Sequence, residues 1–123
     1  MKEDGKGVIW VALIEKAWAK LHGTYARMEG GLPGFAASHL TGVPIENILH
    51  DEIDSQEDFF DMIEASDKKR FVMMAASREA EDDMEGKDGL VTGHAYSVIS
   101  VHRLEHEGKN LKLFKLRNPW GAG

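Results

Sequence analysis

The sequence predicts an α+β fold in which an antiparallel sheet packs on helices. Three observations carry that expectation: an apolar stripe at helical spacing near the N-terminus, a capped amphipathic segment in the middle, and two strand-like segments joined by a short polar turn near the C-terminus. The length of 123 residues suits one domain or a piece of a larger one. Apolar residues at 42% are enough to build a core.

Residues 1–7 are polar and read as a disordered N-terminus; the fold is expected over 8–123. From Val8 to Met28, Trp10, Ile14, Ala17, Trp18, Leu21 and Tyr25 recur on one face, with Glu15, Lys16 and Lys20 turned outward. Gly23 weakens that helix and Gly30-Gly31 stops it. This helix is expected to be the most buried, with Trp10, Ile14, Trp18 and Leu21 facing the sheet. The segment "GGLPGFAASHLTGVPIENILHDE" is punctuated by Gly and Pro and reads as a long connection with a short helical turn or strand near Phe35 to Leu40. Ser55 is an N-cap for the next helix, with Glu57 and Asp58 in its first turn and "KKR" (68–70) at its C-terminal end. Its apolar side is Phe59, Phe60, Met62 and Ile63. "FVMMAAS" (71–77) has the length and composition of a buried strand, and 78–90 is a charged loop. "HAYSVISVHRL" and "LKLFKL" are the strongest strands, joined by "EHEGKN". Pro119 has no N–H and ends the second of them.

Composition narrows the function. The net charge of −6 argues against a nucleic-acid surface, which needs clustered cations. No apolar run is long enough for a membrane span, and the N-terminus is no signal peptide, so a cytoplasmic setting is expected. With no cysteine, the chain offers neither disulfides nor thiolate ligands nor a thiol nucleophile. No metal site is expected either. His39 and His50 lack partners at ligand spacing, and the acids Asp82, Asp83, Glu85 and Asp88 do not match a calcium-binding loop. His102 and His106 have a helical ligand spacing but fall at a strand end and turn.

The two ends of the predicted hairpin carry its most chemical residues, His94 and Asn118. A two-residue Glu107-Gly108 turn pairs Asn118 with Ser97 and leaves His94 roughly 10 Å further along at about 3.3 Å per residue. A direct hydrogen bond then needs a wider loop, a β-bulge or a strong twist. The chemistry is plainer. An amide oxygen accepting a ring N–H holds an imidazole in one tautomer without adding charge, which suits a base that serves a thiolate. A tryptophan two residues beyond, Trp120, would cover that hydrogen bond from water.

"GLVTGHAYSV" followed by "LRNPWG" closely resembles the histidine and asparagine motifs of the calpain-type cysteine peptidases. "WVALIEKAWAKLHGTYARMEGG" is similar to the helix that opens the second half of that protease core, and "GFAASHLTGVP" to the stretch that follows it, with Gly-Val where the family shows Gly-Gly-Val. The resemblance runs from about residue 9 to the C-terminus. It implies the right-hand subdomain of a papain-like fold, with His94 as general base and Asn118 as its orienting partner. Trp120 stands beside them, and Gly93 and Pro119 flank the pair as active-site support. It implies no cofactor in this chain, and calcium regulation in the full-length protein. Its partners would be the Cys-bearing subdomain of the same polypeptide and protein substrates, and alone the chain should not turn over substrate. The alternative is a calpain-like scaffold or regulatory module without catalysis. Trp120 is expected to be exposed in the isolated chain, which would then self-associate through the cleft face or an open sheet edge.

Overall fold

A computed structural model describes residues 9–78 and 89–120. The chain divides into two compact units, Met1–Gly31 and Leu32–Gly123. In the first, helix α1 spans Trp10–His22. It ends at Gly23, whose φ of 93° lies where a side chain is strained, and a 3₁₀ turn follows at Tyr25–Met28. The continuous helix expected as far as residue 28 is therefore broken at Gly23, because the glycine terminates it instead of merely weakening it. The expected burial also fails. Trp10, Ile14 and Leu21 are 63%, 43% and 67% exposed, and Ala19 alone is buried in this helix. A helical period shows that a helix has an apolar face; it does not show what covers the face.

The second unit begins with helix α2, Pro33–Thr41. Pro33 sits in the first turn, where a missing N–H does no harm, and Gly42 closes the helix in the left-handed region with its N–H on Ser38 O at 2.7 Å. This is a full helix where the sequence suggests only a short turn or strand. After a 3₁₀ turn at His50–Glu52 comes helix α3, Gln56–Lys68. Ser55 Oγ accepts the Asp58 N–H at 3.2 Å, and Glu57 and Asp58 face the positive end of the helix dipole. At the other end Arg70 takes φ 59°, with Arg70 N–H on Asp67 O (2.8 Å) and Phe71 N–H on Ser66 O (3.0 Å). Those are the two bonds of a Schellman cap, with arginine in the seat that favours glycine.

A three-stranded antiparallel sheet, in the order β1-β2-β3, completes the unit. Strand β1 is Met73–Ala76, β2 is Ala95–His106 and β3 is Lys109–Arg117. Strand β1 pairs with β2 from Met73 opposite Val98 to Ala76 opposite Ala95. It is an edge strand, shorter and wetter than the buried strand expected over 71–77: Val72 is 84% exposed and the burial alternates along the strand. The run is apolar on both faces, but only the face of Met73 and Ala75 is partly covered. Strands β2 and β3 form a hairpin closed by Glu107 and Gly108, at φ 51° and 73°. Positive φ at both positions is the twist that a two-residue hairpin turn needs.

The core lies between α3 and the inner face of the sheet, where Phe60, Tyr96 and Val101 are buried. Phe60 is 2% exposed and meets the Phe114 ring edge-on at 5.4 Å. The Arg103 guanidinium lies 4.7 Å over Phe60 and reaches three acids of α3: Glu57 at 2.7 Å, Asp61, and Glu64 at 3.6 Å. Lys112 joins Glu57 from β3. The Lys112 ammonium, and then Arg103, hold the Glu57 carboxyl below its ordinary range. Each pair is at least partly open to solvent and individually weak, so burial of Phe60 supplies the stability while the charges orient α3 along the hairpin.

Candidate active site

The site is built by the register of the hairpin. From the turn outward, pairing is regular as far as Ser100 opposite Lys115; Ile99 is then passed over, and Val98 faces Leu116 and Ser97 faces Arg117. One step further, Asn118 comes opposite Tyr96 instead of Ser97. That single step matters because side chains alternate in face along a strand. Opposite Ser97, Asn118 would project on the face His94 avoids; opposite Tyr96, it shares the His94 face and is two residues away along the strand. Of the three ways to close the gap, the chain uses a β-bulge.

The pair so formed is tightly defined. His94 Nε2 lies 3.0 Å from Asn118 Oδ1, and the Trp120 backbone N–H donates to the same oxygen at 3.0 Å. A backbone N–H can only donate, so the amide atom it meets must be the oxygen. That oxygen can only accept, so His94 carries its proton on Nε2 when neutral and presents Nδ1 as the basic nitrogen. The ring is held from two sides. Tyr96 meets it edge-on at 4.9 Å, and the Trp120 ring leans over it at 4.6 Å. Trp120 is nevertheless 63% exposed. Pro119 ends β3 and carries the chain into the turn that aims the Trp120 N–H back at Asn118.

Sequence reasoning missed Ser77, which anchors the main chain of His94. The Ser77 N–H donates to His94 O at 2.9 Å, and the His94 N–H donates to Ser77 Oγ at 3.0 Å. The Ser77 hydroxyl donates to Val91 O at 2.6 Å. Tyr96 was missed too: its hydroxyl accepts the Val91 N–H at 2.8 Å while its ring packs on His94. Ser77 ends an apolar run and Tyr96 lies two residues beyond a histidine, but only pairing across the sheet turns either position into a signal. Gly93 takes φ 58° and donates to Arg78 O at 2.9 Å, a backbone conformation that a side chain would strain. Arg78 pairs with Asp51 across the surface, and that hydrogen bond raises its already high pKa.

The remaining candidates do not assemble. His102 and His106 share strand β2, four residues and about 13 Å apart along it; His102 Nε2 instead lies 2.9 Å from Ser100 Oγ. His39 and His50 lie against Phe35 and Phe59. Asp82, Asp83, Glu85 and Asp88 fall outside the described residues. Among the described residues no three metal-ligating side chains cluster, and no helix is long and apolar enough to cross a membrane.

Helices with a three-stranded antiparallel sheet make this an α+β unit of the papain-like cysteine-protease class. The calpain family cysteine protease model matches residues 1–123, and the chain belongs to that family. It is 37% identical over 116 residues to Calpain-9 of Mus musculus, a match covering 91% of this chain and 16% of that protein. Calpain of Schistosoma mansoni is 32% identical over 112 residues, covering 91% of this chain and 15% of its own. The calpain-type cysteine protease DEK1 of Arabidopsis thaliana is 35% identical over 117 residues, with 91% and 5% covered. The chain thus spans a small part of the length of these relatives.

Proposed function

We propose that this chain supplies the general base and its orienting partner to the catalytic core of a calpain-like cysteine endopeptidase that works in the cytoplasm under calcium control. One observation carries the reading: the His94–Asn118 hydrogen bond, with the Trp120 N–H dictating which amide atom faces the ring. The chain has no cysteine, so the nucleophile comes from a Cys-bearing subdomain elsewhere in the polypeptide. His94 Nδ1 takes the thiol proton, leaving a thiolate to attack the scissile carbonyl. Asn118 Oδ1 accepts the Nε2–H in both the neutral and the protonated ring, so the imidazole keeps its aim throughout the cycle. The imidazolium returns its proton to the leaving amine as the acyl-enzyme forms, and His94 then draws a proton from water for deacylation. Exposed Trp120 offers a surface to the Cys-bearing half. Without that half, the isolated chain is expected to self-associate through this face or the open outer edge of β3.

The test is turnover of a protein substrate by the full-length protein, with and without calcium. His94→Ala should abolish it. Asn118→Ala should lower kcat by about 10²-fold or more, in the range of a lost general-base contribution, with KM little changed. A full-length protein that binds protein partners with no hydrolysis, and whose partner binding is indifferent to both substitutions, would establish the scaffold role instead.

A further inference from the structure

We infer that Asp67, in the last turn of α3, is a positioning residue for the His94–Asn118 pair, acting through the free edge of β2 beside the bulge. This deepens the catalytic reading proposed above, on which only its consequence for turnover depends.

The hairpin's hydrogen-bond alternation fixes where the Val101 N–H points. In a hairpin closed by two residues, the pair next to the turn exchanges both backbone bonds, and every second pair along the strands repeats that exchange. With His106 opposite Lys109, the bonded pairs are Leu104–Leu111 and His102–Leu113; Val101–Phe114 is an unbonded pair. The Val101 N–H therefore points away from β3, to the side where a third strand would take it. Strand β1 stops short of it, since its pairing ends with Met73 opposite Val98. Asp67 takes that place: its Oδ2 accepts the Val101 N–H at 3.1 Å. A carboxylate on a backbone N–H is a charge-assisted acceptor, stronger than the water that would otherwise serve.

The location gives this bond its consequence. Val101 lies two residues from Ile99, on the turn side of the bulge, and β1 holds Ala95 to Val98 on the other side. Both flanks of the bulge are thus tied to something other than β3. If the Val101 tie is lost, the extra residue is free to be drawn into the ladder, and the regular register then places Ser97 opposite Asn118. That slip turns the amide to the far face and breaks the pair with His94. Asp67 itself is rigidly placed, because its carbonyl accepts the Arg70 N–H at 2.8 Å in the helix cap.

The experiment uses the full-length protein with ¹⁵N-labelled histidine. The variants Asp67→Leu and Asp67→Ala remove the acceptor, so that either can serve if the other folds poorly. Asp67→Asn keeps an oxygen on the same stem, and Arg103→Met removes exposed ion pairs near the start of α3 while leaving Asp67 and the Val101 N–H unchanged. In the wild type and Asp67→Asn, His94 should show a protected Nε2–H in one tautomer. In the two acceptor-less variants that signal should collapse to exchanging tautomers, with amide exchange at Val101 at least tenfold faster. Arg103→Met should lower Tm and leave the His94 signal as in the wild type. A wild-type His94 signal in Asp67→Leu or Asp67→Ala overturns the inference, as does equal loss in Arg103→Met. If the acceptor-less variants free the His94 tautomer while turnover per folded molecule stays unchanged, the positioning role stands and the catalytic role of the pair falls.

Discussion

Truncating Phe60 should separate the contributions that hold α3 against the hairpin. The side chain is 2% exposed, so Phe60→Ala removes a full ring from the core and should cost about 3–5 kcal/mol. That is a large share of the roughly 5–15 kcal/mol that stabilises a domain, so the graded change Phe60→Leu is the more informative variant. Leucine keeps most of the apolar burial. It loses the edge-on contact with Phe114 at 5.4 Å, worth about 0.5–1.5 kcal/mol, and the Arg103 guanidinium at 4.7 Å, worth about 0.5–1 kcal/mol. The expected loss is therefore about 1–2.5 kcal/mol. Urea denaturation followed by far-ultraviolet circular dichroism measures it, and a double-mutant cycle with Phe114→Leu isolates the ring pair, with an expected coupling of about 0.5–1.5 kcal/mol. A loss below about 1 kcal/mol for Phe60→Ala would mean the ring is not packed in a core. Strict additivity of Phe60→Leu and Phe114→Leu would refute the aromatic contribution.

Three further outcomes are expected. Arg70→Gly should raise stability by about 0.5–1 kcal/mol in thermal unfolding: the left-handed conformation costs arginine about 1–2 kcal/mol, and glycine returns part of that through its greater freedom when unfolded. Lys112 and Arg103 lower the Glu57 pKa in the fold, so its contribution is present above the ordinary glutamate range and is lost as the pH falls through the lowered value. Urea midpoints of the wild type and Glu57→Gln should therefore converge on acidification, and a gap that widens would refute the pairing. Deleting Ile99 removes the extra residue while keeping Ser97 opposite Arg117, so the protected His94 Nε2–H should survive; its disappearance in a folded variant would show that the bulge does more than set register.

Local signals are legible in the sequence where they involve neighbouring residues. Ser55 caps α3, Glu107-Gly108 closes the hairpin, and the α+β class follows from the periods of the segments. The failures of burial have one cause, which is that exposure depends on what an element meets. The α1 stripe of Trp10, Ile14 and Leu21 has the period of a core helix, yet these residues lie exposed. The apolar run of β1 has the composition of a central strand, yet it forms an edge. Gly23 looked tolerable in a long helix because its measured cost is small, but its φ of 93° ends the helix outright.

At the candidate site, the two residues were legible and their meeting was not. His94 stands twelve residues before the last residue of β2, and Asn118 nine after the first residue of β3, a mismatch that leaves them on opposite faces in an unbroken ladder. No residue type announces a bulge at Ile99, since isoleucine suits a regular strand. The tie at Val101 comes from Asp67, 34 residues earlier, on a helix anchored in the core by Phe60. Alignment of the imidazole and the amide is thus decided by tertiary packing, at a point several residues from either group. The α3 helix therefore has two duties: it closes the core with Phe60, and it holds the strand edge that sets which face Asn118 presents.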